Sequence, residues 1–269
     1  MFSTRCCVHY AALIILAAAA GANDQVSSIN SAVLQPRVFN DVPGATYTGV
    51  NNYPMLVLLG EQGVSAHSGY ANRDVWNFSA NGGLSAYQFQ NNDYFNASFG
   101  VTLTGGSAGY DLEAGFLFSN PSGTFGGDLQ IVVNAAGTVV QFGGPSFYPF
   151  SPIVGGTSVP NYVPGETYTL GLNYVIDPKT GQNAFQYSVN GQFAASSLGN
   201  AYFDLGPGVG IGGLGNYLGG YFQIQTDAGN PSNSGTALFD ISIVSVPEPA
   251  TLALLGLGIL TLVFRRRGN

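Results

Sequence analysis

A strict two-residue alternation of apolar and polar side chains recurs along this chain and constrains its fold more than any other feature. Phe95, Ala97, Phe99, Val101 and Leu103 hold the odd positions of one run, and Tyr168, Leu170, Leu172, Tyr174 and Ile176 the even positions of another. Shorter runs repeat the pattern: Leu129/Ile131/Val133, Phe185/Tyr187/Val189, Phe222/Ile224 and Phe239/Ile241/Ile243. Successive side chains of a strand point to opposite faces, so each run predicts a strand with one face in a core and the other in water. That is the habit of antiparallel sheets. After Asn23 no stretch shows an apolar stripe of helical period until the last twenty residues.

Turn chemistry separates the runs. Asn190-Gly191 predicts a tight hairpin, because a type I′ turn requires positive φ at both central residues. Asn81-Gly82-Gly83, Gly105-Gly106 and Asp177 to Gly181 mark further turns. Roughly a dozen strands without an internal repeat or a dividing linker predict an all-β, antiparallel two-sheet sandwich over residues 37–246. Residues 23–36 read as a flexible lead-in. The Gly/Pro-rich stretches 143–164 and 206–220 read as long loops inside one domain.

Both ends carry targeting signals. Residues 1–22 read as a secretory signal peptide: Ala11 to Ala20 is a ten-residue apolar run, and Ala20-Gly21-Ala22 forms a small-x-small cleavage site. Signal peptidase is thus an expected partner. Cys6 and Cys7 fall inside that segment, so the exported domain has no disulfide and no thiol chemistry. Its core alone must hold it, which a domain of this length can achieve.

At the other end Val246-Pro247-Glu248-Pro249 is followed by an apolar block and then Arg265-Arg266-Arg267. The two prolines oppose helix until Ala250. Residues 250–264 would span about 22 Å as a transmembrane helix, against a hydrocarbon core of roughly 30 Å. The arginines after it act as a cytoplasmic stop. A plain C-terminal membrane anchor is one reading of these residues. In their order they also resemble the PEP-CTERM sorting signal of Gram-negative bacteria that make exopolysaccharide. The resemblance implies processing by an exosortase and transient anchoring in the inner membrane. It further implies delivery to the cell envelope, the outer surface or a biofilm matrix.

Between these signals only Arg37, Arg73 and Lys179 are basic, against fourteen acids, a surplus of eleven negative charges. Nucleic acid is therefore not an expected partner. The polar surface rests on Asn, Gln, Ser, Thr and Gly, which suits hydroxyl-rich glycans and is equally the usual make-up of exported β-proteins.

The order of strands and turns across residues 75–246 resembles the laminin G-like and concanavalin A-like sandwiches. Tyr168 to Asp177, a turn, and Phe185 to Gln192 carry the resemblance, with Asp111 to Phe118 and Asp128 to Ile131 before them. It implies a jelly-roll and a lectin-like module, in which calcium is held by Asp and Asn oxygens at loop rims. The positions it offers for calcium are Asp74, Asp93, Asp128 and Asp227, each expected near a turn; solvated turn carboxylates are the alternative. For glycan contact the loop residues Phe147, Tyr148 and Phe150 stand out, as aromatic rings with a polar edge can stack on sugars.

No catalytic residue is assigned. His67 is the one histidine after the signal peptide, and no Gly-x-Ser-x-Gly elbow accompanies it. Asp111 and Glu113 share a strand face, as a paired-carboxylate mechanism requires. Sandwich glucanases, however, carry Glu-x-Asp-x-x-Glu, and here the outer positions are Gly109 and Ala114. The expected function is that of a non-catalytic, exopolysaccharide-associated surface or matrix module. A purely structural matrix protein and a glycan hydrolase are the alternatives.

Overall fold

The computed structural model describes residues 29–39, 42, 44–65, 71–105, 112–119, 128–141, 148–153, 161–211, 215–225 and 232–245. Among them the ordered elements are strands: β1 Ser31–Phe39, β2 Thr46–Asn52, β3 Leu56–Ser65, β4 Ala71–Ser79, β5 Phe95–Gly105, β6 Leu112–Ser119, β7 Asp128–Asn134 and β8 Val139–Gln141. They continue with β9 Tyr148–Pro149, β10 Tyr168–Ile176, β11 Asn183–Val189, β12 Gln192–Phe193, β13 Phe203–Asp204, β14 Tyr217–Gln225 and β15 Ser232–Ser245. The fold is all-β, two antiparallel sheets stacked as a sandwich. A seven-stranded sheet runs β1-β4-β14-β6-β7-β8-β9, and an eight-stranded one runs β12-β11-β10-β5-β15-β3-β2, with β13 beside β11.

Alternation builds the core. The odd positions of β5 and the even positions of β10 face inward, with Phe95, Phe99, Val101, Leu170, Leu172 and Tyr174 fully buried. From the opposite sheet Trp76, Phe78, Phe116, Phe118, Phe222 and Ile224 meet them. Trp76 sits at the centre, edge-on to Phe78 (5.0 Å), Phe99 (5.6 Å) and Phe239 (5.7 Å). Phe99 stacks on Phe116 across the sandwich at 4.0 Å. The indole lies over Gly220, where any side chain would run into its ring.

The Asn190-Gly191 hairpin forms as expected, with φ of 50° and 79°, and Asn190 Oδ1 accepts the Thr169 amide at 2.8 Å. Three expectations change. Residues 31–36 are not lead-in but strand, paired with β4 from Ser31↔Ser79 to Gln35↔Val75. The stretch expected as one loop over 143–164 sends Phe150 and Tyr162 into the core, and β14 already begins at Tyr217. Two alternating runs also break at irregularities. Pairing of β6 with β7 shifts between Gly115 and Leu117, and Leu129 leaves the sandwich interior to pack with Val75, Leu117, Val132 and Tyr221. Pairing of β5 with β15 shifts between Asp240 and Ile243, so Ile243 is 52% exposed whereas Phe239 is buried. A bulge inserts a residue and inverts the facing of the strand beyond it.

Candidate functional site on the seven-stranded sheet

Alternation along β4 sends Asp74, Trp76 and Phe78 into the sandwich and leaves Arg73, Val75 and Asn77 on the opposite, outer face. Register then lines up one polar residue per strand on that face. Arg73 lies across from Gln223, Gln223 from Glu113, and Glu113 from Asn134. The side chains join in the same order. Arg73 Nε donates to Gln223 Oε1 at 2.6 Å, and Gln223 Nε2 donates to Glu113 Oε1 at 3.1 Å. A single amide thus couples a cation to a carboxylate.

Beside this row lies an apolar floor of Val75, Tyr221, Leu117, Leu129 and Val132. The Arg73 guanidinium sits 5.7 Å from the centre of the Tyr221 ring, a cation–π contact. The Tyr221 hydroxyl is fully buried beside the Glu113 carboxyl. Burial first, and then the Glu113 charge, hold it well above the ordinary phenol range. Burial likewise pushes the Glu113 carboxyl up, with Arg73 opposing. Glu113 and Arg73 are half-buried, while Gln223 and Asn134 are buried. Arg73 and Glu113 are therefore the partly open members of the row, and the apolar base beside them is closed off from solvent.

A second polar cluster lies inside the sandwich. Arg37, at a left-handed φ of 52°, turns between the sheets. Its Nε and Nη2 donate to the two oxygens of Glu61 at 2.9 and 3.1 Å, and Nη2 also reaches the Ala45 carbonyl. Its backbone amide donates to Asp74 Oδ1 at 2.9 Å. Burial raises the Asp74 carboxyl to about 7, partly opposed by that amide bond. Asp74 Oδ2, Asn72 Nδ2 and the Tyr47 hydroxyl are buried without partners among the described residues. Burial, and then the charges of Asp74 and Glu61, push the Tyr47 phenol up to about 12.

Of the positions considered for calcium, Asp74 is not at a turn but within β4 and inside the sandwich. Asp93 does sit in a turn, yet its Oδ2 accepts from the Tyr87 hydroxyl at 3.0 Å and from the Gln90 amide at 2.8 Å. Asp128 opens β7, and Asp227 lies outside the described residues. Among the described residues no three Asp, Glu, His or Cys side chains converge as a metal site. In the aromatic loop Tyr148 is exposed at 59%, Phe150 is fully buried, and Phe147 lies outside the described residues. Phe150 is therefore a core residue and cannot stack on a ligand. Ala20, Ala22, Val246, Pro247, Glu248, Pro249 and the three arginines also lie outside them. Sequence reasoning missed the outer-face row. Its trace was a polar residue on each of β4, β6 and β14, which alternation alone treats as solvated.

The chain is similar in fold to several solved structures. The alginate lyase AlgAT5 of polysaccharide lyase family 7 is 10% identical with a TM-score of 0.47, covering 81% of this chain and 94% of its own. The carbohydrate-binding module CBM66 of Bacillus subtilis is 12% identical at a TM-score of 0.36, covering 77% and 98%. The Trypanosoma rangeli sialidase is 15% identical at 0.40, covering 78% of this chain and 30% of its own. These are likenesses of fold. No curated protein matches the chain. Among the described residues no helix is long and apolar enough to cross a membrane, and the C-terminal apolar block lies beyond them. Residues 245–267 match the PEP-CTERM protein-sorting motif, so the chain carries an export-sorting signal that begins at the last residue of its final strand.

Proposed function

We propose that this protein is an exported surface or matrix module that associates with exopolysaccharide through the outer face of its seven-stranded sheet. An exosortase removes its C-terminal segment after the Pro-Glu-Pro motif, ending a transient stay in the inner membrane. The observation that carries the glycan reading is the Arg73–Gln223–Glu113 row, whose Arg73 and Glu113 ends are partly exposed on the outer face. Vicinal hydroxyls of a sugar ring match such a fork of donors and acceptors. The role is binding without catalysis. Glycoside hydrolysis uses two carboxyl groups across the scissile bond, and the described row offers one, already engaged by Gln223.

The test uses protein recovered from its host, titrated against the host's exopolysaccharide with calcium and then with chelator. Saturable binding is expected, lost in an Arg73→Gln/Glu113→Gln variant whose thermal unfolding is unchanged. A folded protein that binds no glycan at any concentration would leave a purely structural matrix role. For sorting, the recovered C-terminus should lack Leu252 to Asn269, and an intact triple arginine in the extracellular pool would overturn that part.

A further inference from the structure

One end of the sandwich combines chain exit, apolar exposure and, among the described residues, carboxylates that are buried or half-buried. β15 leaves the eight-stranded sheet at Ser245, opposite Asn96 at the start of β5. Antiparallel register brings other elements to the same end. Phe95 pairs with Tyr174, and Ile176 with Asn183, so the β10–β11 turn lies here. The Ser242 amide donates to the Pro54 carbonyl at 2.8 Å, bringing the tip of the β2–β3 hairpin alongside. Asn183 Nδ2 donates to the Val209 carbonyl at 2.9 Å, adding the loop before β14. The loop from β4 to β5 connects two strand ends at this same end, as Tyr174 Oη bonding to the Asn91 carbonyl shows.

Large apolar side chains stand open there: Met55 (68%), Leu84 (86%), Ile176 (48%), Val209 (42%) and Ile243 (52%). They come from five separate segments. Among the described residues of this end Asp93 and Asp177 are buried, Asp204 and Asp240 are half-buried, and Lys179 is the exposed charge. For so acidic a chain, an end whose described carboxylates are all buried or half-buried is a local departure in charge. Only Val246 to Thr251 separate β15 from the apolar block that starts at Leu252. Six residues reach at most about 20 Å.

We infer that this end is a membrane-facing surface: while the C-terminal segment is inserted, Met55, Leu84, Ile176, Val209 and Ile243 rest in the headgroup layer of the bilayer, with Lys179 toward lipid phosphates. Apolar side chains beside a cation favour the membrane interface, and the short tether keeps them at its level. Docking precedes processing of the sorting motif, and release follows cleavage. The inference rests on the membrane-inserted state proposed above.

The test uses the full chain, with Cys6→Ser and Cys7→Ser, reconstituted in phosphatidylethanolamine/phosphatidylglycerol vesicles with brominated acyl chains. Single substitutions Met55→Cys, Leu84→Cys and Ile243→Cys, each labelled with a fluorophore, report quenching by lipid. Glu166→Cys, at the far end beside Leu103 and Val163, gives the water reference, and Leu255→Cys reports the tail. Quenching at the three exit-end positions should exceed that at Glu166→Cys several-fold. Equal, low quenching at both ends with a quenched tail overturns the docking surface and leaves the sorting reading standing. An unquenched tail overturns both. The change Met55→Ser/Leu84→Ser/Ile243→Ser should abolish exit-end quenching of a label at Val209→Cys without altering the tail signal; a label still quenched there counts against the inference.

Discussion

Arg37, on an edge strand of one sheet, closes a bidentate ion pair with Glu61 on the other, at 2.9 and 3.1 Å. The glutamate side chain is fully buried and the arginine 22% exposed. With its amide on Asp74 and its Nη2 on the Ala45 carbonyl, Arg37 ties β1, β3, β4 and the β1–β2 connection into one latch. Buried pairs add little compared with a well-packed apolar core, but losing one partner strands the other. Glu61→Ala should destabilise the domain by about 3–5 kcal/mol in chemical denaturation. Arg37→Lys should recover only part of the wild-type stability, because one ammonium cannot reproduce the fork. A Glu61→Ala domain as stable as wild type would remove the latch from the account.

The Asp74 carboxyl gives stability a pH dependence of defined sign. Its folded value is raised to about 7, above the ordinary aspartate range, so the folded state binds the extra proton. Its contribution is fully present below the unfolded value near 4 and is lost as pH rises through about 7. Glu113, also raised by burial, adds in the same direction. Asp74→Asn keeps an oxygen for the Arg37 amide and removes the charge. Urea midpoints measured from pH 5 to 8 should fall with pH in wild type and fall less steeply in Asp74→Asn. Parallel curves would show that Asp74 ionises normally.

Gly219 and Gly220 are places where β14 meets its neighbour β4 without room for a side chain. A Cβ on Gly219 would strike the backbone of Trp76 and Asn77, and one on Gly220 would strike the indole of Trp76. Gly220→Ala should cost about 1–3 kcal/mol through overpacking. The intrinsic fluorescence of Trp76, the only tryptophan, should shift with it. An unshifted spectrum with full stability would mean that the indole has space to move.

Asn190 tests the hairpin. Its φ of 50° and its Oδ1 bond to Thr169 favour Asn over any residue without a short polar side chain. Asn190→Gly should be close to neutral in stability, whereas Asn190→Val should cost about 1–3 kcal/mol. Equal losses in the two variants would show that the side-chain bond, rather than the backbone angle, holds the turn.

Much of this architecture was legible in the residues. Alternation along β5 and β10 fixed which side chains face inward because the period of two is a property of the extended backbone itself. The Asn-Gly turn was equally local. Bulges were not legible. Leu129 and Ile243 satisfy the alternating pattern, yet pairing irregularities against β6 and β5 place Leu129 on the outer face and expose Ile243. Such a shift depends on the partner strand, which lies far away in sequence. Asp74 was misread for the same reason: only the placement of Arg37 and Glu61 explains a carboxylate inside a sandwich.

The sequence by itself determined the strand-rich class, the tight hairpin, the sparse positive charge and the sorting motif at residues 245–267. These arise from local backbone geometry and from contiguous residues that a single segment can carry. Only the tertiary structure decided that Arg73, Gln223 and Glu113 form one hydrogen-bonded row, and that five apolar side chains from separate segments share the end where the chain departs. Both depend on strand order and register. Those are settled by which faces bury together across the whole domain, and no local pattern encodes them.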